Sequence, residues 1–132
     1  MHNYIKSIGY ALTGLLHAFR TERNFRLFVF GYSASLVLAL LFRVDLDRLP
    51  IIILSGGAFL AIELINTALE HFADAFDDHT KKQEDLRYST IKCTKDVAAG
   101  AALVSAVAWA LTLFIIFWPY IRVTAERIML QH

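Results

Sequence analysis

The stretch that decides the fold is VAAGAALVSAVAWALTLFIIFWPYI, which runs from Val97 to Ile121 and holds 25 residues without a charged side chain. About 20 consecutive apolar residues are enough to cross the hydrocarbon core of a bilayer, so this stretch predicts a transmembrane helix. The whole chain shares its character, because 57% of the 132 residues are hydrophobic, 19% are charged and the mean hydropathy is +0.49. This composition argues against an ordinary soluble globular protein.

Length, net charge and cysteine content narrow the function classes. A chain of 132 residues favours one domain, here an integral-membrane domain over residues 1–132. The net charge of +1 leaves no basic excess, so we expect no nucleic-acid partner. Cys93 is the single cysteine, which excludes an intrachain disulfide bond and a cysteine-based zinc site.

Two further apolar runs precede the longest one. The first covers Leu27–Phe42 and is slightly short, but flanking arginines can extend it by reaching towards the interface. The second starts at Leu49 and is too short if it ends at Ile62, whereas its length suffices when Glu63 and Asn66 are included. The predicted spans cover about residues 25–43, 49–72 and 96–121. The sequence therefore predicts an all-α membrane protein with three transmembrane helices.

The first 20 residues have a different pattern, with apolar side chains at helical spacing and polar ones mostly between them. The apolar set is Ile5, Ile8, Leu12, Leu15, Leu16 and Phe19. This periodicity predicts an amphipathic helix on the membrane surface over about residues 3–21. A soluble helix packed on the loops is the alternative.

Lysine and arginine counts predict the orientation. With three spans, the N-terminal segment lies on the same side of the membrane as the polar segment Asp77–Thr94 and Lys95. That side carries nine lysines and arginines, and the other side carries four. The positive-inside rule then places the N-terminus and the polar segment in the cytoplasm. Asp77–Thr94 is expected to form a solvated loop or to extend the second span. Trp118 and Tyr120 fit the aromatic belt at the outer interface.

Four polar side chains form a stripe on the second span: Glu63, Asn66, Glu70 and Asp74. Their spacing places all four within an arc of about 80° on an α-helix. A charged side chain at the bilayer centre costs roughly 2.5–3.5 kcal/mol on insertion scales. The stripe must therefore face a protein interior, a wet cavity or another subunit rather than lipid.

Three functions fit such a stripe. The first is phosphoryl transfer from ATP to a lipid alcohol, in which deep Glu63 acts as general base, Glu70 binds a magnesium ion and Lys95 meets the phosphates. The second is proton-coupled transport that uses the Glu63 carboxylate. The third is structural, with the polar side chains joining helices through hydrogen bonds.

The segment ELINTALEHFAD, Glu63–Asp74, resembles the signature E-x-x-N-S/T-A-x-E-x-x-x-D of the prokaryotic diacylglycerol kinase family. Three other segments resemble the family in the same order along the chain, covering in all about residues 4–120. They are Gly9–Leu15 in the surface helix, Arg20–Arg26 before the first span, and Lys95–Ala101 at the start of the last span. Loops typical of soluble kinases are absent from the sequence.

The resemblance implies a small integral lipid kinase in the cytoplasmic membrane, a homotrimer with shared active sites, with Mg²⁺ and ATP bound on the cytoplasmic side. It implies Glu63 as the catalytic base, Glu22 and Glu70 as metal ligands, and Asn66 as a residue that organises the substrate site. It implies an ATP site lined by Tyr10, Glu22, Glu70, Lys95 and Asp96. Asp96 has an alternative role as N-terminal cap of the last span.

The resemblance favours undecaprenol as the lipid alcohol, with diacylglycerol as the close second. Two features depart from the family pattern. The segment between Asp74 and Asp96 is longer than usual, which leaves His79 a weak candidate for a nucleotide contact. The tail 122–132 runs beyond the usual end and is assigned no role.

Overall fold

Four α-helices make up the described part of this chain. The computed structural model describes the backbone of residues 2–80 and 85–130, and the side chains of residues 4–76 and 90–130. The helices are α1 (His2–Thr21), α2 (Arg23–Leu41), α3 (Leu49–Thr80) and α4 (Asp85–Met129), and the described residues contain no strand. The predicted all-α class is confirmed.

Three of the helices are long and apolar enough to cross a membrane, over Arg23–Leu41, Leu49–Phe76 and Thr90–Met129. Large apolar side chains point outward along them, as shown by Leu40 and Leu54, which are 70% and 71% exposed. An exposed apolar surface of this extent is what a bilayer accepts and water does not. The chain is therefore a multi-pass membrane protein, while the exact membrane boundaries stay predictions.

A single extended residue separates α1 from α2. Glu22 precedes α2 with φ −95° and ψ 114°, so the chain changes direction there. The guanidinium of Arg26 donates hydrogen bonds to the carbonyl oxygens of Phe19 (3.3 Å) and Arg20 (2.8 Å). These carbonyls belong to the last turn of α1 and have no partner within the helix. Arg26 thereby fixes the angle at which α1 leaves the bundle; the location of α1 on a membrane surface stays a prediction.

The joint between α2 and α3 is short and closed by backbone hydrogen bonds. Arg43 lies just past the end of α2 with φ 52°, the left-handed conformation that commonly ends a helix. The amide of Val44 then donates to the carbonyl of Ala39 at 2.9 Å. Beside this joint lies the principal apolar core, formed by Ala39, Val44, Ile52, Ile116 and Phe117.

Helix α3 is the central element, since it packs against both α2 and α4. At mid-height the ring of Phe59 stacks on Trp109, with centroids 5.0 Å apart, and meets Phe28 edge-on at 4.9 Å. A Cβ atom added at Gly56 would overlap the ring of Tyr32. Glycine at this position therefore allows α2 to approach α3 closely.

The described residues within Asp77–Thr94, 77–80 and 85–94, are helical, which bears out the predicted extension of the second span. Helix α3 continues to Thr80 and α4 begins at Asp85, so both helices extend beyond their apolar parts. Residues 81–84 and the side chain of His79 lie outside the described residues. Asp96 follows the first residue of α4 by eleven positions, and its predicted role as an N-terminal cap is therefore wrong.

Candidate active site

The polar stripe of α3 includes two side chains that are buried although they lie in a membrane-spanning helix. Glu63 and Asn66 are each 8% exposed. Glu70 lies two helical turns beyond Glu63, about 10.5 Å along the axis. Burial removes these groups from water and lipid alike, which a polar group tolerates only when another polar group or a ligand satisfies it.

Only one end of the Asn66 side-chain amide has a hydrogen-bond partner among the described residues. Its Nδ2 donates a hydrogen bond to Oε1 of Glu70 at 3.1 Å, one turn along the helix. Its Oδ1 is buried without a hydrogen-bond partner among the described residues. An unpaired buried acceptor costs about 1–3 kcal/mol. The arrangement therefore orients the Glu70 carboxylate and leaves one oxygen available to a donor or to a cation.

Glu22 reaches α3 from the break between α1 and α2. Its side chain makes no capping hydrogen bond to α2, and instead Oε1 lies 3.0 Å from Nε2 of His71. His71 is the neighbour of Glu70 in the sequence, so this contact brings the start of α2 to the level of Glu70. The ring of His17, on α1, meets His71 edge-on with centroids 6.3 Å apart.

The sequence pattern did not assign His71 to the site, since it lies about 80° around the helix from Glu63. The contact with Glu22 depends on how the chain turns at residue 22, and no local sequence pattern predicts that turn. The spacing of the two residues, 49 positions, gives no periodic signal. A histidine beside a predicted metal ligand was the available clue, since histidine often orients such ligands.

The far end of the stripe is tied to α4. Nζ of Lys95 donates to Oδ1 of Asp74 at 2.6 Å, and the two side chains are 37% and 65% exposed. A partly exposed ion pair of this kind contributes little to stability, about 0–1 kcal/mol. This contact between Lys95 and Asp74 is therefore weak enough to exchange for one with a more highly charged anion.

Two predicted residues are not joined to this cluster. Tyr10 is 76% exposed on α1, and Asp96 is exposed on α4. Neither side chain makes a hydrogen bond or an ion pair with the other site residues within the part of the chain that is described. The structure thus pairs Asn66 with Glu70, places Glu22 against the neighbouring His71 and pairs Lys95 with Asp74. It leaves Tyr10 and Asp96 apart from these contacts.

The oxygen donors of the cluster suit a magnesium ion shared with a nucleotide. In the described ranges no group of three or more histidine, cysteine or acidic side chains forms a ready metal cage. Magnesium usually needs only one or two carboxylates, since substrate phosphates and water complete its shell. Glu22 and Glu70 supply carboxylates at one level of the site, and the unpaired Oδ1 of Asn66 is a further hard oxygen.

Comparison with known proteins gives concordant matches. The family model described as prokaryotic diacylglycerol kinase matches residues 9–117. The undecaprenol kinase of Bacillus subtilis is 33% identical over 119 residues, which cover 90% of this chain and 91% of that protein. The diacylglycerol kinase of Synechocystis sp. is 33% identical over 106 residues, which cover 80% of this chain and 57% of that longer protein.

Proposed function

The chain belongs to the prokaryotic diacylglycerol kinase family and is a lipid kinase, and we propose that it transfers the γ-phosphoryl group of ATP to the hydroxyl of undecaprenol in preference to diacylglycerol. The observation that carries the activity is the buried pair Glu63 and Asn66, with Glu70 beside Asn66 at 3.1 Å. The preference for undecaprenol is supported by the match to the Bacillus subtilis enzyme, which covers nearly the full length of both chains.

Glu63 is the proposed general base. Its carboxylate is buried midway along a membrane-spanning helix, so bulk water is excluded and the lipid hydroxyl would have to enter the site to reach it. Poor hydration makes a carboxylate a stronger proton acceptor, and a positioned base contributes about 10²–10⁴ to the rate. Glu63 takes the proton of the lipid hydroxyl, the oxygen attacks the γ-phosphorus in line, and ADP leaves.

Glu70, Glu22 and Lys95 are proposed to position the nucleotide. The two carboxylates, oriented by Asn66 and His71, would hold Mg²⁺, which when bound offsets the negative charge of the phosphates. Lys95 exchanges its contact with Asp74 for a phosphate oxygen, because the polyphosphate carries more charge than one carboxylate. Tyr10 and Asp96 complete the proposed ATP site.

The proposed assembly is a homotrimer in the cytoplasmic membrane with the site on the cytoplasmic side. Within one chain, Tyr10 is 76% exposed and apart from the cluster. An active site shared between subunits would bring such a residue to a neighbour's nucleotide. The location of the site is supported by the count of nine lysines and arginines on its side against four on the other, as the positive-inside rule requires.

The transporter hypothesis receives no support. Both matched relatives are named as kinases, and the contacts of Glu22 with His71 and Lys95 with Asp74 gather charged groups suited to a nucleotide. Proton-coupled transport would not require these charged groups to lie close together.

The test is a transfer assay with purified protein in mixed micelles. Undecaprenol and diacylglycerol are offered in parallel with ATP and magnesium, and phosphorylated lipid is measured. We expect faster transfer to undecaprenol, and loss of transfer in Glu63→Gln. A faster rate with diacylglycerol would reverse the proposed preference, and no transfer to either lipid by folded protein would reject both acceptors.

A further inference from the structure

A cavity lies at the opposite end of the bundle from the candidate active site. It has a volume of about 410 Å³ and opens between the joint that follows α2 and the last turns of α4. Its walls include Phe42 and Arg48 from the joint and Tyr120, Thr124 and Arg127 from α4. Glu63 lies 14 residues beyond the first residue of α3, which is about 21 Å along the helix. The two sites are therefore separate.

We propose that this cavity binds the headgroup of an anionic phospholipid, with the lipid phosphate held by Arg127 and Arg48. The proposal does not depend on the kinase activity, because none of these residues belongs to the candidate active site. It also gives a role to the segment of α4 beyond residue 121, for which the kinase function supplies none.

The charge balance of the cavity favours an anion. The one carboxylate in its wall, Asp45, already accepts a hydrogen bond from Oη of Tyr120 at 2.9 Å and pairs with Nε of Arg48 at 3.4 Å. Arg127 makes no hydrogen bond or ion pair with the rest of the described chain. The wall thus carries two guanidinium groups and one carboxylate, which leaves a net charge of +1. The planar donor fork of arginine matches the oxygens of a phosphate.

The shape and location of the cavity favour a lipid over free phosphate. Phe42, Pro119 and Val123 form an apolar part of its wall, which a small hydrophilic ion would leave unused. The cavity lies where α2 ends at Leu41 and α3 begins at Leu49, the level at which lipid headgroups meet the ends of membrane helices. Basic pockets between transmembrane helices on the cytoplasmic side bind anionic headgroups, and this cavity offers the same chemical groups at the opposite end of the bundle.

The chain offers a matched control for the test. Arg122 lies on the same stretch of α4 as Arg127 and carries the same charge, but it pairs with Glu126 at 2.9 Å and is not part of the cavity wall. Arg122→Gln therefore removes the same charge from the same helix end without touching the proposed site.

The experiment measures lipid binding to the detergent-purified full chain. Phosphatidylglycerol or phosphatidylcholine is titrated into wild type, Arg127→Gln and Arg122→Gln, with bound lipid counted by native mass spectrometry and the melting temperature recorded. We expect wild type and Arg122→Gln to bind phosphatidylglycerol more tightly than phosphatidylcholine. Arg127→Gln should bind phosphatidylglycerol about tenfold more weakly, as one lost charge-assisted hydrogen bond predicts, with its kinase activity unchanged.

Three results would overturn the proposal. Equal weakening by both substitutions would mean that the lipid senses only the overall charge of this end. Equal binding of the two lipids by wild type would remove the preference for an anion. Stabilisation by inorganic phosphate equal to that by phosphatidylglycerol would identify a simple anion site rather than a lipid site.

Discussion

At the scale of single residues, the proposed active site includes side chains whose positions are fixed by hydrogen bonds. Asn66 orients Glu70, and His71 contacts Glu22, so each proposed metal ligand has its own partner. Such partners commonly matter almost as much as the ligands, because they fix the direction of the carboxylate oxygens. Glu63 differs from both, since its role requires a free carboxylate in a dry place.

Glu63→Gln tests the role of the base. The substitution keeps the size and buried position of the side chain but removes its capacity to accept a proton, so we expect kcat to fall by about 10²–10⁴. The melting temperature should stay close to that of wild type. Both are measured on the same micelle preparation, and a near-normal kcat would exclude Glu63 from the mechanism.

His71→Ala tests whether His71 positions Glu22. Removal of the imidazole frees the carboxylate to rotate, so we expect the magnesium concentration for half-maximal activity to rise about tenfold or more, within the range given for outer partners of metal ligands. Direct titration with Mn²⁺ followed by electron paramagnetic resonance should show the same weakening without turnover. His17→Ala is the matched control. It removes the ring that packs edge-on against His71 but leaves the contact between Glu22 and His71 in place. Equal magnesium dependence in wild type and His71→Ala would argue that the contact only joins helices.

At the scale of the helices, the close approach of α2 and α3 depends on one of two neighbouring glycines. A methyl group at Gly56 would overlap the ring of Tyr32, whereas nothing lies within 4 Å of one at Gly57. Tyr32 cannot simply swing away, since its hydroxyl donates a hydrogen bond to the carbonyl of Ile53 at 3.1 Å. The two positions therefore predict opposite responses to the same substitution.

Gly56→Ala should lower the free energy of unfolding by about 1–3 kcal/mol, the usual result of overpacking. Gly57→Ala should leave it unchanged or raise it by up to about 1 kcal/mol, because alanine is the better helix former. Unfolding is followed by circular dichroism during titration of the micelles with a denaturing detergent. The same result for both variants would contradict the packing described for α2 and α3.

The sequence predicted the helices well where the signal is local. Val97–Ile121 and the two shorter apolar runs indicate membrane helices, because the length of an apolar run decides whether it can span a bilayer. The structure of Asp77–Thr94 was harder to predict, since its mixed charges suit a solvated helix as well as a loop. Glu63, Asn66 and Glu70 share a face through simple periodicity, whereas the contact between Glu22 and His71 depends on the turn at residue 22.

At the scale of the whole molecule, the contacts that pack the helices involve other residues than the proposed metal site. The helices pack through the apolar core near the α2–α3 joint and through the rings of Phe59 and Trp109, whereas the proposed ligands Glu22 and Glu70 belong to neither group. We therefore expect the proposed magnesium ion to serve the reaction rather than the scaffold.

Removal of divalent metal should therefore abolish transfer and leave the fold intact. With excess EDTA we expect phosphorylated lipid to fall to background, while the helical circular dichroism signal and melting temperature remain unchanged. Added magnesium should restore the rate. A large drop in melting temperature on chelation would show a structural metal and contradict this division.

The joint between α2 and α3 bears on how the protein enters the membrane. Residues 42–48 carry two arginines and two aspartates, so their formal charges cancel, and the left-handed turn at Arg43 closes the two helices upon one another. In the predicted orientation this is the segment that must cross the bilayer during biosynthesis. A short joint without net charge favours insertion of α2 and α3 together as a helical hairpin. The apolar flanks of both helices would offset the free-energy cost of carrying four charged side chains across the membrane.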